Sequence, residues 1–149
     1  MIRLSRTQLE VLAREAETAY SYECCGLLVG HKDGDDWLTK DIVPSPNVSK
    51  DPANSFEIDT ALRLHLHKAL RGTSNSVIGH YHSHPDAPAV PSDRDRQRAF
   101  EAGMVWIVVA VEGCVAGDIF AYLYEGDDAG FSSLVIEEES EDEKKVEEM

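Results

Sequence analysis

Two histidines and a later aspartate form the part of this sequence best suited to chemistry. His82 and His84 stand two residues apart in the segment His80–Pro85, so on a β-strand their imidazoles face the same side. Asp95 follows a proline-rich loop, at the predicted start of a helix. Two imidazoles and one carboxylate are a typical ligand set for catalytic zinc, which keeps one position open for water. We therefore predict that His82, His84 and Asp95 bind one zinc ion per chain.

A zinc site of this kind also needs a group that moves protons. Bound zinc lowers the pKa of a water molecule toward about 7, and a base must accept the proton and pass it to the leaving amine. Glu23, which directly precedes the first predicted buried strand, is the candidate base. The competing interpretation is a surface residue in front of a strand.

The surrounding periodicity predicts the elements that position these residues. A helix over 6–20 is favoured by apolar residues at helical spacing and by a capping-box pattern between Ser5 and Gln8. The remaining patterns predict helices over 59–71 and 92–103 and strands over 24–30, 37–43, 76–82, 104–111, 117–124 and 131–136. Strands mixed with three helices indicate an α/β or α+β fold. The last three strands have no helices between them and should form an antiparallel meander.

The combined motif resembles the signature of the JAMM, or MPN+, family of zinc metallopeptidases, in its stand-alone prokaryotic form. His82 and His84, followed by Ser92 and Asp95, are similar to the family pattern His-x-His, then Ser-x-x-Asp. The segment Glu23–Gly30 resembles the strand that carries the family's catalytic glutamate. The resemblance covers nearly the whole chain. It implies an MPN/JAB-type fold, a curved mixed β-sheet with about three helices packed on it.

The resemblance also implies a role for each site residue. His82, His84 and Asp95 correspond to the zinc ligands, and Glu23 to the general acid and base. Ser92 corresponds to a hydroxyl that stabilises the tetrahedral intermediate, in the manner of an oxyanion donor; alternatively it is only a helix N-cap. Members of the family cleave amide or isopeptide bonds after the C-terminal tail of ubiquitin or a related protein. The expected substrate is therefore a ubiquitin-like or sulfur-carrier protein.

Other functions are left open or disfavoured by the sequence. A non-catalytic scaffold with the same fold and a zinc hydrolase of small peptides both remain as alternatives. A nucleobase deaminase is disfavoured because His-x-Glu and Pro-Cys-x-x-Cys are absent. A cysteine nucleophile at Cys24 or Cys25 is disfavoured because no Cys-His spacing supports it.

Composition and charge limit the partners. The 149 residues carry a net charge of −14, which disfavours nucleic acid because its phosphates would be repelled. The chain has no apolar run long enough to span a membrane and no signal-like N-terminus, so we expect a cytoplasmic protein. We predict a domain over 1–136 and a disordered acidic tail over 137–149. The oligomeric state, monomer or homodimer, is left open.

Overall fold

An eight-stranded mixed sheet organises residues 1–139, which are the residues that the computed structural model of the protein describes. The elements in chain order are β1 (Ile2–Ser5), α1 (Arg6–Ala19), β2 (Cys25–Asp33), β3 (Asp36–Ser45), α2 (Thr60–Ala69), β4 (Ser76–Pro85), α3 (Asp93–Arg98), β5 (Met104–Glu112), β6 (Val115–Tyr124), β7 (Phe131–Leu134) and β8 (Ile136–Glu139). The strand order is β7-β6-β5-β4-β2-β3-β1-β8. Strands β4 and β2 therefore lie at the centre of the sheet, where neighbours fix them on both sides.

The sheet is strongly curved around α1. Strands β7 and β8 lie at opposite ends of the strand order although only Val135 separates them in the chain. The backbone N–H of Ile2 donates to the carbonyl of Val135 at 2.8 Å, so the two edges approach each other. Helix α1 contacts β1, β3, β4, β5 and β6, and Leu12 and Ala16 are buried in the core that these strands enclose. The predicted α+β fold, a curved mixed sheet with three helices, is confirmed.

Local signals at the helix termini agree with the sequence. The Ser5 side chain accepts from the N–H of Gln8, and the Gln8 side chain accepts from the N–H of Ser5, which completes the predicted capping box. Asp59 is the N-cap of α2, where its carboxylate accepts from the N–H of Ala61. The meander β5-β6-β7 is antiparallel, as predicted.

Three boundaries differ from the sequence prediction. Helix α3 ends at Arg98 and not near Gly103, because Ala99 turns to an extended conformation and is buried against Trp106 and Tyr124. The segment 131–136 is not one strand, since it divides at Val135 into β7 and the start of β8. Strand β1 was not predicted. All four of its residues pair in parallel with β8, and Ile2 and Arg3 also pair in parallel with β3.

The last described strand crosses the predicted domain boundary. Glu137, Glu138 and Glu139 belong to β8, where they pair with Arg3, Leu4 and Ser5 of β1. Strand β8 therefore continues three residues past 136, while the division of the chain into a domain and a tail stays a prediction. The rest of the predicted tail, 140–149, lies outside the described residues. Among residues 1–139, no helix has the length and apolarity needed to cross a membrane.

Candidate metal centre

The central strand β4 carries both histidines of the motif. It is buried from Val77 to His84 and extends to Pro85, three residues past the predicted strand. Strand β2 pairs with β4 only as far as Cys25 opposite His82, whereas β5 pairs with β4 to its end. Ser83 still bonds to Cys24, which precedes β2, but His84 and Pro85 pair with β5 alone. Burial of a polar side chain costs free energy unless the group has a partner, so the buried His82 and His84 require partners.

Three donor atoms converge at this end of β4. The Nε2 atoms of His82 and His84 are 3.0 Å apart. Each lies 3.1 Å from the same carboxylate oxygen, Oδ2 of Asp95. The donor atoms of a tetrahedral zinc site, at about 2.0–2.1 Å from the ion, are about 3.3 Å from one another. The observed spacing is close to that value, and all three side chains are buried.

The hydrogen bonds of His84 show that this cluster fits a cation. Its Nδ1 is 2.9 Å from the carbonyl oxygen of Pro88, which can only accept, so Nδ1 carries the proton. In the neutral ring, Nε2 then presents a lone pair toward Asp95. The lone pair and the carboxylate oxygen face each other in a buried site, which is a suitable environment for a metal ion. A carbonyl that fixes the tautomer, as Pro88 does here, is typical of metal-ligating histidines.

Charge and burial act against each other at these ligands. Burial by itself would raise the pKa of Asp95, but the contacts with His82 and His84 outweigh it and hold the pKa well below its ordinary value. Burial lowers the pKa of His82, although Asp95 opposes the change. At His84 burial also acts to lower the pKa, but Asp95 and the Pro88 carbonyl raise it overall. Asp95 is thus an anion, which is the state that a metal ligand requires.

Asp95 is held in place by the cap of its own helix. Ser92 is the N-cap of α3, and its Oγ accepts from the N–H of Asp95 at 3.1 Å. In return, Oδ2 of Asp95 accepts from the N–H of Ser92 at 2.9 Å. The oxygen that faces the histidines is therefore fixed by the backbone of the first helical turn. Ser92 itself is exposed, and its hydroxyl retains a proton to donate.

Glu23 lies beside the two histidines without being part of the tight cluster. One of its carboxylate oxygens and one ring nitrogen each of His82 and His84 lie within 4.8 Å of one another. The trio with Asp95 is tighter, with every pair at 3.0–3.1 Å. Glu23 is only 5% exposed, and its Oε1 has no hydrogen-bond partner in the described part of the chain. Burial raises the pKa of Glu23 to about 8, and the nearby His84 offsets part of this rise.

Aromatic rings close the site from below. Phe56 stacks on His82 with ring centroids 4.2 Å apart and an interplanar angle of 17°. Trp106 meets His80 edge-on at 4.2 Å. Burial lowers the pKa of His80 to about 3, so this histidine is neutral and packs beneath the site. The rings exclude water from one side of the cluster.

The cysteines at the start of β2, Cys24 and Cys25, are packed away from the site. Cys24 packs into the core around α1, and Cys25 into the core under α2. Burial raises the pKa of Cys24 to about 11 and that of Cys25 to about 12. Since the thiolate is the nucleophilic form, neither is suited to covalent catalysis.

A curved mixed sheet with two histidines at the end of its central strand, a capping aspartate and a nearby buried glutamate defines a candidate metallohydrolase site. The sequence of the chain agrees with that class, because the pattern described as prokaryotic homologs of the JAB domain matches residues 5–123. The match covers most of the chain, and the protein belongs to this family. The predicted membership of the JAMM/MPN+ group is thereby confirmed.

Two relatives carry descriptive names. The chain is 30% identical over 115 residues to a protein of Haloferax volcanii named desampylase, a match that covers 77% of this chain and 78% of the relative. It is 40% identical over 58 residues to a protein of Thermus thermophilus named probable TtuB-protein conjugate cleaving protease, but that match covers only 39% of each chain.

Solved structures show the same fold. A protein from Desulfitobacterium hafniense superposes with a TM-score of 0.82 at 30% identity, covering 95% of this chain and 94% of that chain. A JAB1/MPN domain protein from Archaeoglobus fulgidus superposes with a TM-score of 0.58 at 20% identity, covering 93% of this chain and 95% of that chain. The second comparison concerns the fold alone.

The structure brings all five predicted site residues, Glu23, His82, His84, Ser92 and Asp95, to one end of β4. Sequence reasoning missed what holds them there. Phe56 and Asn47, in the loop before α2, contact His82 and the backbone of Glu23 respectively. Neither position follows a periodic pattern. One available signal was the length of the loop, since long ordered loops in compact domains are often functional.

Proposed function

We propose that this protein is a zinc-dependent peptidase that hydrolyses an amide or isopeptide bond after the C-terminal tail of a ubiquitin-like or sulfur-carrier protein. The observation that carries the proposal is the convergence of two imidazole nitrogens and one carboxylate oxygen within 3.1 Å. The names of the two relatives, a desampylase and a probable conjugate-cleaving protease, support the same class of reaction.

Each residue has a separate task in this proposal. His82, His84 and Asp95 would hold the zinc ion. Zinc in such a site polarises the scissile carbonyl and lowers the pKa of a bound water molecule toward about 7. Glu23 accepts the proton of the attacking water and delivers it to the leaving amine, and its raised pKa of about 8 suits a group that must both take up and release a proton near neutral pH.

Ser92 supplies the remaining polar contact. Its exposed hydroxyl stands at the first turn of α3, beside the carboxylate that would bind the metal. A hydroxyl there can donate to the oxygen on which negative charge develops when the carbonyl is attacked. Below the cluster, the ring of Phe56 stacks on the imidazole of His82 and forms an apolar wall. This wall strengthens electrostatic interactions in the site by excluding water.

The decisive experiment replaces the base and leaves the metal ligands intact. Zinc-loaded Glu23→Gln should keep about one zinc per chain but lose roughly 100-fold or more in kcat, because the amide cannot accept a proton. The substrate is a carrier protein joined to lysine through its C-terminal glycine, and zinc is measured by elemental analysis. The double variant His82→Ala/His84→Ala is the matched control and should lose the zinc.

The results separate the alternative functions. Full turnover by zinc-loaded Glu23→Gln would exclude Glu23 as the base, and an unchanged zinc content in the double histidine variant would exclude the ligand set. If the wild-type protein binds zinc but cleaves neither conjugates nor short peptides, the non-catalytic scaffold is the better interpretation. Cleavage of short peptides alone would favour a small-peptide hydrolase.

A further inference from the structure

The side chain of Asn47 makes an unusually complete set of hydrogen bonds. Its Nδ2 donates to the carbonyl of Glu23 at 2.9 Å and to that of Ser55 at 3.0 Å. Its Oδ1 accepts from the N–H of Ser49 and from that of Glu57, both at 3.1 Å. An asparagine side chain has two N–H donors and two acceptor lone pairs. All four are used, and all four partners are backbone groups.

These bonds matter because Glu23 is not paired with any strand of the sheet. Strand β2 begins only at Cys25, so the sheet does not fix the backbone of Glu23. Its carbonyl accepts from Asn47, and its N–H donates to the carbonyl of Pro52 at 2.8 Å. Both backbone groups of Glu23 are therefore bound by one segment, Pro46–Glu57. Ser49 and Ser55 also cross-link this segment, but Asn47 is the side chain that bonds both to the segment and to Glu23.

The same segment reaches the other residues of the site. Phe56 stacks on His82, and its carbonyl accepts from Arg98 of α3 at 2.8 Å. Asp51 pairs with Arg94 of α3 at 3.2 Å. The segment thus bridges the strand that carries the histidines and the helix that carries Asp95. A shift of Pro46–Glu57 would move the Glu23 carboxylate relative to both.

We propose that Asn47 is a positioning residue for Glu23: its amide holds Pro46–Glu57 in the one arrangement that places the Glu23 carboxylate beside His82 and His84. This inference rests on the proposed function in so far as Glu23 is the base. Its structural part, the fixing of the Glu23 backbone by Asn47, stands independently. Because a displacement of about 1 Å at a reacting group can reduce the rate roughly 100-fold, a residue that acts only through backbone contacts can still control turnover.

The test uses two variants and one control in the zinc-loaded full chain. Asn47→Ala removes all four bonds. Asn47→Asp retains the acceptor oxygen toward Ser49 and Glu57 but replaces the donors by an oxygen that faces two carbonyls. Asn54→Ala is the matched control, because Asn54 lies in the same segment but its side chain contacts only the carboxylate of Asp51.

Amide hydrogen exchange, zinc content and steady-state kinetics are measured for each variant. In both Asn47 variants we expect the Glu23 amide to exchange about 10-fold faster or more, with zinc content unchanged, since local opening exposes amides that were protected. The kcat should fall roughly 10- to 100-fold with little change in KM. Asn54→Ala should keep both the protection of the Glu23 amide and kcat. If Asn47→Ala fails to fold, Asn47→Asp carries the same test, because it retains two of the bonds.

A double-mutant cycle decides whether Asn47 acts through Glu23. Asn47→Ala combined with Glu23→Gln should be no slower than Glu23→Gln alone, because residues that act as a unit are not additive. Additive losses, an increase in KM alone, or a lower melting temperature with unchanged kcat would each overturn the proposal. If the wild-type protein cleaves no conjugate while the Asn47 variants still lose protection of the Glu23 amide, the proposed function is refuted but the positioning role is not. Unchanged protection would refute the positioning whatever the activity.

Discussion

Ser92 lies where a helix cap and the proposed reaction centre meet. Its Oγ accepts from Asp95, while its N–H donates to the carboxylate oxygen that faces the two histidines. The hydroxyl proton is not consumed by the cap, since the Oγ acts there as an acceptor. One residue can therefore stabilise the helix terminus and donate to a developing oxyanion.

The two roles of Ser92 predict separable effects. Ser92→Ala should cost about 1 kcal/mol in the free energy of unfolding through loss of the cap. It should also reduce kcat by roughly 100-fold through loss of the oxyanion donor. Ser92→Thr is the control, because it keeps a hydroxyl and should retain most of both. Paired denaturant titrations and kinetics measure the effects, and a destabilised Ser92→Ala protein with full activity would remove Ser92 from the catalytic residues.

At the level of elements, the position of the histidines depends on how closely β4 and β5 pack. Gly79 of β4 lies opposite Val105 of β5, and the carbonyl oxygen of Val105 occupies the space where a β-carbon on residue 79 would stand. Gly79 is needed here because of this close approach of the two backbones. The approach also sets the distance from His80 and His82 to the rings beneath them, since Trp106 belongs to β5.

Gly79→Ala should therefore separate β4 from β5. We expect a loss of about 1–3 kcal/mol in the free energy of unfolding, which is the usual range for overpacking. Gly117→Ala in β6 is the matched control: the nearest atom to an added methyl group is the Ala110 carbonyl oxygen at 3.9 Å, an ordinary contact. Its effect should stay within about 0.5 kcal/mol. Equal stability of the two variants in urea titrations would contradict the packing argument.

In the whole molecule, the curled sheet joins the two ends of the described chain. Strand β8 pairs with β1 over four residues, and Ile136 packs against the core around α1. Strand β1 leads directly into α1, the helix that the sheet surrounds. The core that supports the site at the end of β4 is therefore completed by β8, the last strand in the described part of the chain.

This arrangement leads us to propose that the folded domain ends at Glu139. A chain shortened to residues 1–139 should melt at the same temperature as the full chain. A chain shortened to residues 1–135 should lose roughly 1–3 kcal/mol. Full burial of an isoleucine contributes about 1.5–3 kcal/mol, Ile136 is partly buried, and the outer edge of β1 is also left unpaired. Calorimetry on the three chains measures the difference. Equal melting of the 1–135 and 1–139 chains would place the boundary before β8.

Sequence reasoning succeeded where local chemistry decides the outcome. The capping pairs at Ser5 and Ser92 depend on neighbours three residues away, and the helices they start were predicted at the correct residues. The alternation of side chains along a strand requires His82 and His84 to share a face, whatever the rest of the fold. The motif that joins them to Asp95 and Glu23 is specific enough that family and fold were predicted correctly from the sequence.

Tertiary structure decided what depends on distant segments. The pairing of β1 with β8 and the division at Val135 follow from closure of the sheet, and four-residue strands carry too little local pattern to reveal it. Helix α3 stops at Arg98 because Ala99 finds a buried place beside Trp106. The hydrogen bond from Asn47 to Glu23 joins residues 24 positions apart in the chain, through an irregular loop. Periodicity reports only neighbours along one element, so the sequence predicted the candidate site residues, while packing determined which residues hold them in place.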